Sequence, residues 1–228
     1  MAKLRGRQPK SFIETEKDIA AGVKALRRAC PIMRRVHDVA GDPPLRRQAA
    51  GFEGLARIIV AQQLSTASAA AIWKRVTERV APLDAKRLLA ETDETLRSAG
   101  LSGPKIRTLR AISEAVASGS LDLARLDRLT DAAVHEHLCA VKGIGPWTAD
   151  IYIMFSLGRA DGFAVGDLAL QVAAQHAAGL DARPSTGALA AMAERWRPWR
   201  GVAARLLWAY YPHMRGADEA KVKPGQPL

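Results

Sequence analysis

A glycine hairpin between two apolar-periodic helices constrains this chain more than any other feature. It reads Val141-Lys142-Gly143-Ile144-Gly145 and lies inside the stretch from Leu138 to Gln171. Upstream, Thr130 is the expected N-cap of a helix, in which Val134, Leu138 and Val141 recur on one face. Gly143 and Gly145 stop that helix and permit backbone angles closed to other residues. Pro146 suits the first position of the next helix, where its missing N–H costs nothing. That helix is expected to run through Trp147, Ile151 and Phe155 to Gly158. The N–H groups around Gly145 lack intrahelical partners, and such groups at a helix N-terminus suit a phosphate. A short loop, Gly162 to Gly166, then leads to an acid, Asp167, which by position is the N-cap of a further helix.

The remaining chain shows helical spacing throughout. Residues 13–39 predict two helices separated at Pro31, with Ile19, Val23 and Leu26 on one side. Gly41-Asp42-Pro43-Pro44 breaks the chain. Phe52, Leu55, Ile59 and Gln62 mark the next helix, and Ser65 or Thr66 caps its successor. Short helices begin at Asp84 and at Thr92 or Asp93, and a longer one opens at Pro104 and ends at Gly119. Beyond the acid, helices are expected from about Leu168 to Ala178, after Ser185 or Thr186, and from about Trp199 to Tyr210. No run of alternating β-branched residues is bounded by turn signals, so the fold class is all-α.

Net charge is +11, and a chain this basic usually meets a polyanion, nucleic acid first. No apolar run reaches the ~20 residues needed to span a bilayer, and no apolar signal core lies near the start. The expectation is therefore a cytoplasmic, nucleoid-associated protein, not a membrane one. Cys30 and Cys139 are far apart and read as packed thiols. The five histidines show no metal-ligand spacing.

The segment L-x-x-V-K-G-I-G-P-W-T-A, followed by V-G-D, resembles the helix-hairpin-helix (HhH-GPD) DNA glycosylases, and more narrowly the DNA-3-methyladenine glycosylase II group. In that superfamily the catalytic Asp follows the second hairpin glycine by about two dozen residues, and Asp167 stands twenty-two after Gly145. The resemblance spans roughly residues 51–211 and implies two helical lobes with a cleft. It implies N-terminal helices (1–50) packed on the C-terminal lobe, a central six-helix lobe (51–158) holding the hairpin, and a C-terminal lobe (159–228) carrying the acid. On this resemblance the expected type is the compact form, without the extra N-terminal domain of larger members.

The same resemblance implies the chemistry. Asp167 becomes the catalytic carboxylate that stabilises positive charge at the sugar C1′ and aligns water. Relatives that also cleave the strand carry a Lys two residues after the second glycine; here that position is Trp147, so a monofunctional enzyme is implied. Trp147 and Trp208 match positions lining the pocket for the extruded base. Tyr152 lies beside a third such position, which in strict register is Ile151. Gln62-Gln63-Leu64-Ser65 is similar to the family's wedge turn, with Gln63 the first choice of wedge and Leu64 the second. Gly143, Ile144, Gly145 and Thr148 would bind DNA phosphate. Carbonyls of Val141 and Ile144 would be the donors if the hairpin takes Na or K; the tail lacks the four cysteines of an iron–sulfur cluster. The implied function is excision of alkylated purines, such as 3-methyladenine and 7-methylguanine, by a monomer acting on double-stranded DNA. A non-catalytic protein for bent or damaged DNA, or a glycosylase for another lesion, are the competing readings.

Overall fold

The computed structural model describes residues 12–214. The basic segment 1–10 and the tail from Gly216 lie outside the described residues.

Twelve α-helices form among the described residues: α1 Glu16–Ala29, α2 Pro31–Ala40, α3 Gly51–Ala61, α4 Thr66–Arg79, α5 Ala85–Ala90, α6 Asp93–Ser98, α7 Gly103–Ala117, α8 Asp131–Cys139, α9 Pro146–Ile151, α10 Leu168–Ala178, α11 Thr186–Ala193 and α12 Arg200–Tyr210. No strand forms among them; Phe12 and Arg159 make an isolated bridge. No described helix is long and apolar enough to cross a membrane.

Local chemistry sets the boundaries. Ser65, Asp84, Thr92, Thr130 and Ser185 each accept a backbone N–H at a helix start, which relieves one of the orphan donors there. In α1 the carboxylate of Asp18 reaches back to the Thr15 N–H at 2.9 Å. Pro31 occupies the first turn of α2 and forces the break after Ala29. The short 3₁₀ turn Leu123–Arg128 has no counterpart in the sequence expectations.

Helices α3 to α9 pack around one another, with α3 touching α4, α7 and α9. Helices α1, α2, α10 and α12 form a second group, in which α12 packs on α1, α2 and α10. Close approach of α1 to α12 rests on Gly22, where a Cβ would stand 2.6 Å from Val202 Cγ2.

Helix α9 does not continue as α to Gly158. Tyr152–Ser156 is a π-helical turn, closed by the Leu157 N–H on the Tyr152 carbonyl at 2.9 Å. Its end carbonyls are taken by arginines: Arg47 Nη1 donates to Phe155 and Ser156 at 3.0 Å each, and Arg205 Nη2 to Met154 at 3.1 Å. Cationic donors suit the negative end of a helix. The extra residue in this turn rotates the side chains that follow relative to a regular helix, and such turns recur at functional sites.

Candidate active site

The hairpin lies between α8 and α9. Val134 and Leu138 of α8 are fully buried, and Ile144 is buried beneath the turn. Gly143 has φ +93°, and a Cβ there would fall 2.1 Å from Thr108 Oγ1, so both backbone angle and space require glycine. Gly145 differs from expectation: its φ of −100° is ordinary extended backbone. What its missing side chain supplies is open space beside the backbone. The N–H groups of Gly143 and Gly145 make no backbone hydrogen bond, which leaves them free for an anion.

Two of the four expected phosphate contacts do not hold as drawn. The Ile144 N–H is spent on the Val141 carbonyl at 3.1 Å. Thr148 is buried; its N–H goes to the Gly145 carbonyl, and its Oγ1 accepts from Gln62 Nε2 at 2.8 Å. Thr148 thus ties α9 to the end of α3 and lines the cleft instead of facing a backbone phosphate.

Asp167 caps α10, as its position predicts. Oδ1 accepts the Leu170 N–H at 3.0 Å and the Trp208 Nε1–H at 3.0 Å, while Oδ2 accepts the Trp147 Nε1–H at 2.8 Å. Three donors from two helix starts and from α12 lock the carboxylate in one orientation. Only 2% of Asp167 is exposed, yet it lines a cavity of about 450 Å³. The other walls include Gln62 and Gln63 from the end of α3, Trp147 and Thr148 from α9, and Leu168 and Ala169 from α10. That volume suits a ligand the size of a nucleoside, and no lysine is among its walls.

The neighbouring acids are engaged elsewhere. Asp150 Oδ1 lies 3.1 Å from His135 Nε2, across the hairpin, and burial pushes its carboxyl up to about 6 against the lowering pull of His135. Asp161 pairs with Arg197 and, at 3.0 Å, with Arg200. Both line a separate pocket of about 180 Å³.

The aromatic residues divide. Trp147 lines the cavity directly. Trp208 sits behind the carboxylate; its ring, 5.7 Å from Phe155, walls a smaller pocket shared with Pro44, Arg46 and Arg205. The expectation that Tyr152 lines the base pocket is corrected: it begins the π turn, is fully buried, and its hydroxyl accepts the Gly51 N–H at 2.8 Å under the start of α3. Trp196 and Trp199 belong to the core.

Gln63 stands on the cavity wall, exposed and with φ +57°. A side chain held in the left-handed region beside a cleft is strained, and strain of this kind collects at functional sites. Leu64 is half-buried beside it and is not among the cavity walls. Sequence reasoning missed Gln62 as the partner of Thr148 and the indole N–H groups as donors to Asp167. Neither has a local signal, because both join residues far apart in the chain.

The family model described as HhH-GPD superfamily base excision DNA repair protein matches residues 56–199. A solved DNA-3-methyladenine glycosidase from Bacillus halodurans is 36% identical, with TM-score 0.73, over 85% of this chain and 90% of that one. The Schizosaccharomyces pombe 3-methyladenine DNA glycosylase Mag1, solved in complex with abasic DNA, is 26% identical, with TM-score 0.74, over 88% of this chain and 100% of that one. The alkylbase DNA glycosidase-like protein mag2 of Schizosaccharomyces pombe is 29% identical over 70% of this chain and 77% of its own length. The chain spans 42% of the length of the Bacillus subtilis YfjP and Mycobacterium tuberculosis AlkA relatives.

Proposed function

The chain belongs to the HhH-GPD superfamily of base excision DNA repair proteins, and on that premise we propose that it is a monofunctional DNA glycosylase that hydrolyses alkylated purines from double-stranded DNA. The observation that carries this reading is Asp167: a carboxylate fixed by three N–H donors at the wall of a nucleoside-sized cavity, beside a hairpin with unpaired N–H groups.

In this reading the Gly143 and Gly145 N–H groups hold a backbone phosphate and set the register of the duplex. The damaged nucleotide swings out of the stack into the cavity. Gln63, already on the rim, fills the gap left in the duplex, with Leu64 behind it. Trp147 offers an aromatic face to the base, and Trp208 holds the acid from behind. As the glycosidic bond breaks, positive charge grows at C1′ and Asp167 stabilises it. Water then attacks C1′, its proton accepted by the carboxylate, and the strand is left with an abasic site. With Trp147 where a Schiff-base lysine would stand, the resemblance implies no strand cleavage. A monovalent cation, if one binds the hairpin, would find the second lone pair of the Val141 carbonyl and the Ile144 carbonyl; no step above depends on it.

Incubating the purified chain with methylated duplex DNA and identifying the released bases tests the proposal. Free 3-methyladenine or 7-methylguanine over an intact, alkali-labile strand is the expected product. Binding without release would favour the non-catalytic reading.

A further inference from the structure

One lysine stands between the hairpin and the wedge turn. Helix α7 packs on α3, and Lys105 and Thr108 share a face of its first turns. Thr108 backs the hairpin: a Cβ on Gly143 would fall 2.1 Å from its Oγ1. Lys105 reaches the other way. Its Nζ donates to the Val60 carbonyl, in the last turn of α3, at 2.6 Å. Just beyond Val60 the chain enters the cavity wall at Gln62 and Gln63. One face of α7 therefore touches both the hairpin and the root of the wedge turn.

The end of α3 needs that contact. Helix ends leave carbonyls without intrahelical donors. The Gln62 N–H turns back to the Ile59 carbonyl at 3.4 Å and the Leu64 N–H to the Ala61 carbonyl at 3.2 Å. Between them, no backbone N–H among the described residues reaches the Val60 carbonyl. The Lys105 ammonium supplies the missing donor, and a cation suits the negative end of a helix. Burial lowers the pKa of Lys105 from its ordinary value, so a partly desolvated ammonium makes this bond. Immediately after the capped turn the backbone leaves helical angles, with Gln62 at φ −48° and ψ 130° and Gln63 at φ +57°. A left-handed glutamine persists only where its surroundings impose it. The bond from Gln62 to Thr148 of α9, at 2.8 Å, holds the turn from one side. Lys105 holds it from the other.

We infer that Lys105 is a positioning residue for base extrusion: through the Val60 carbonyl it fixes the end of α3, and so keeps Gln62 and Gln63 in register with the hairpin when DNA is gripped. The inference rests on the glycosylase reading and adds to it a residue that touches neither base nor sugar. Lys105 acts through Gln63, so its effect is concentrated on lesions whose base must be pushed out of a stable pair. A phosphate contact acts on every duplex alike and carries a salt dependence.

The test measures single-turnover release of 7-methylguanine, placed at one position opposite cytosine or in a mismatch, by the unaltered chain, Lys105→Met, Lys105→Arg, Gln63→Gly and the double variant Lys105→Met with Gln63→Gly. Methionine keeps an unbranched side chain and removes the donor; arginine keeps donor and charge. The paired-to-mismatched rate ratio should fall by about tenfold in Lys105→Met and by less than about threefold in Lys105→Arg, and Lys105→Met added to Gln63→Gly should leave the ratio within about twofold, since the two residues act as a unit. Rate constants for both duplexes come from one preparation, so a loss of stability alone does not move their ratio. An unchanged ratio in Lys105→Met overturns the inference. So does a full further drop in the double variant, which separates Lys105 from Gln63. Weaker binding to undamaged duplex with a smaller salt slope also overturns it and marks Lys105 as a phosphate contact. Each of these outcomes leaves the glycosylase reading standing. No release from either duplex by the unaltered chain overturns that reading and the inference with it.

Discussion

The indole N–H of Trp208 donates to Oδ1 of Asp167 at 3.0 Å, across 41 residues of chain. Helix α12 thereby holds the acid that caps α10, and the geometry of the reacting group depends on how the helices around α12 pack. Trp208→Phe keeps an aromatic ring and removes that donor. Hydrogen bonds to charged groups contribute about 1.5–3 kcal/mol, so base release should slow by roughly ten- to a hundredfold. Stopped single-turnover assays on methylated duplex read this directly, with binding to an abasic duplex as control.

Gly143→Ala should damage fold and DNA binding together. The new Cβ meets Thr108 Oγ1 at 2.1 Å, at a φ of +93°. The expected loss is about 2 kcal/mol, or roughly 4–8 °C in Tm. Affinity for undamaged duplex should fall in step, as the hairpin N–H groups shift. Thermal melting and fluorescence anisotropy measure the two effects.

Gln63→Gly separates strain from function. Relief of the left-handed backbone gains about 1 kcal/mol, and the added chain freedom of glycine costs nearly as much. Stability should therefore stay nearly constant. Excision of a stably paired lesion should fall by more than excision of the same lesion in a mismatch, because only the paired one needs a wedge. Equal losses in the two duplexes would remove Gln63 from that role.

Asp150 gives the pH prediction. Its carboxyl is raised from 3.8 to about 6 in the folded chain, chiefly by burial. Between those values the folded state holds more protons than the unfolded one, so stability falls as pH rises through that window. Above pH 6 the penalty is complete, on the order of 2 kcal/mol after allowance for partial exposure. Asp150→Asn should flatten the urea stability profile between pH 4 and 6, and leave base release at neutral pH within a few fold, since the residue faces away from the cavity.

Much of the architecture is legible in local patterns. Caps at Ser65, Asp84, Thr92, Thr130, Asp167 and Ser185 lie where short polar side chains precede apolar periodicity, and the breaks at Pro31 and Gly41 follow from backbone chemistry. The hairpin and its acid were readable because their spacing in the chain carries the signal. Tyr152 shows the limit. It lies one position past the register residue Ile151, and its hydroxyl accepts the Gly51 N–H from a segment 101 residues away, a contact no local pattern announces, so the tyrosine lies under α3 instead of at the cavity. Thr148 was misassigned for a similar reason, because its partner Gln62 comes from another helix.

The most direct measurement is single-turnover base release by Asp167→Asn on methylated duplex DNA, with affinity for an abasic duplex determined on the same preparation. Asn still caps α10, so fold and binding are retained while the charge at C1′ loses its partner. Release at least a hundredfold slower, with binding essentially unchanged, is the expected result. Release within tenfold of the unaltered chain would contradict the assignment of Asp167 and the function built on it.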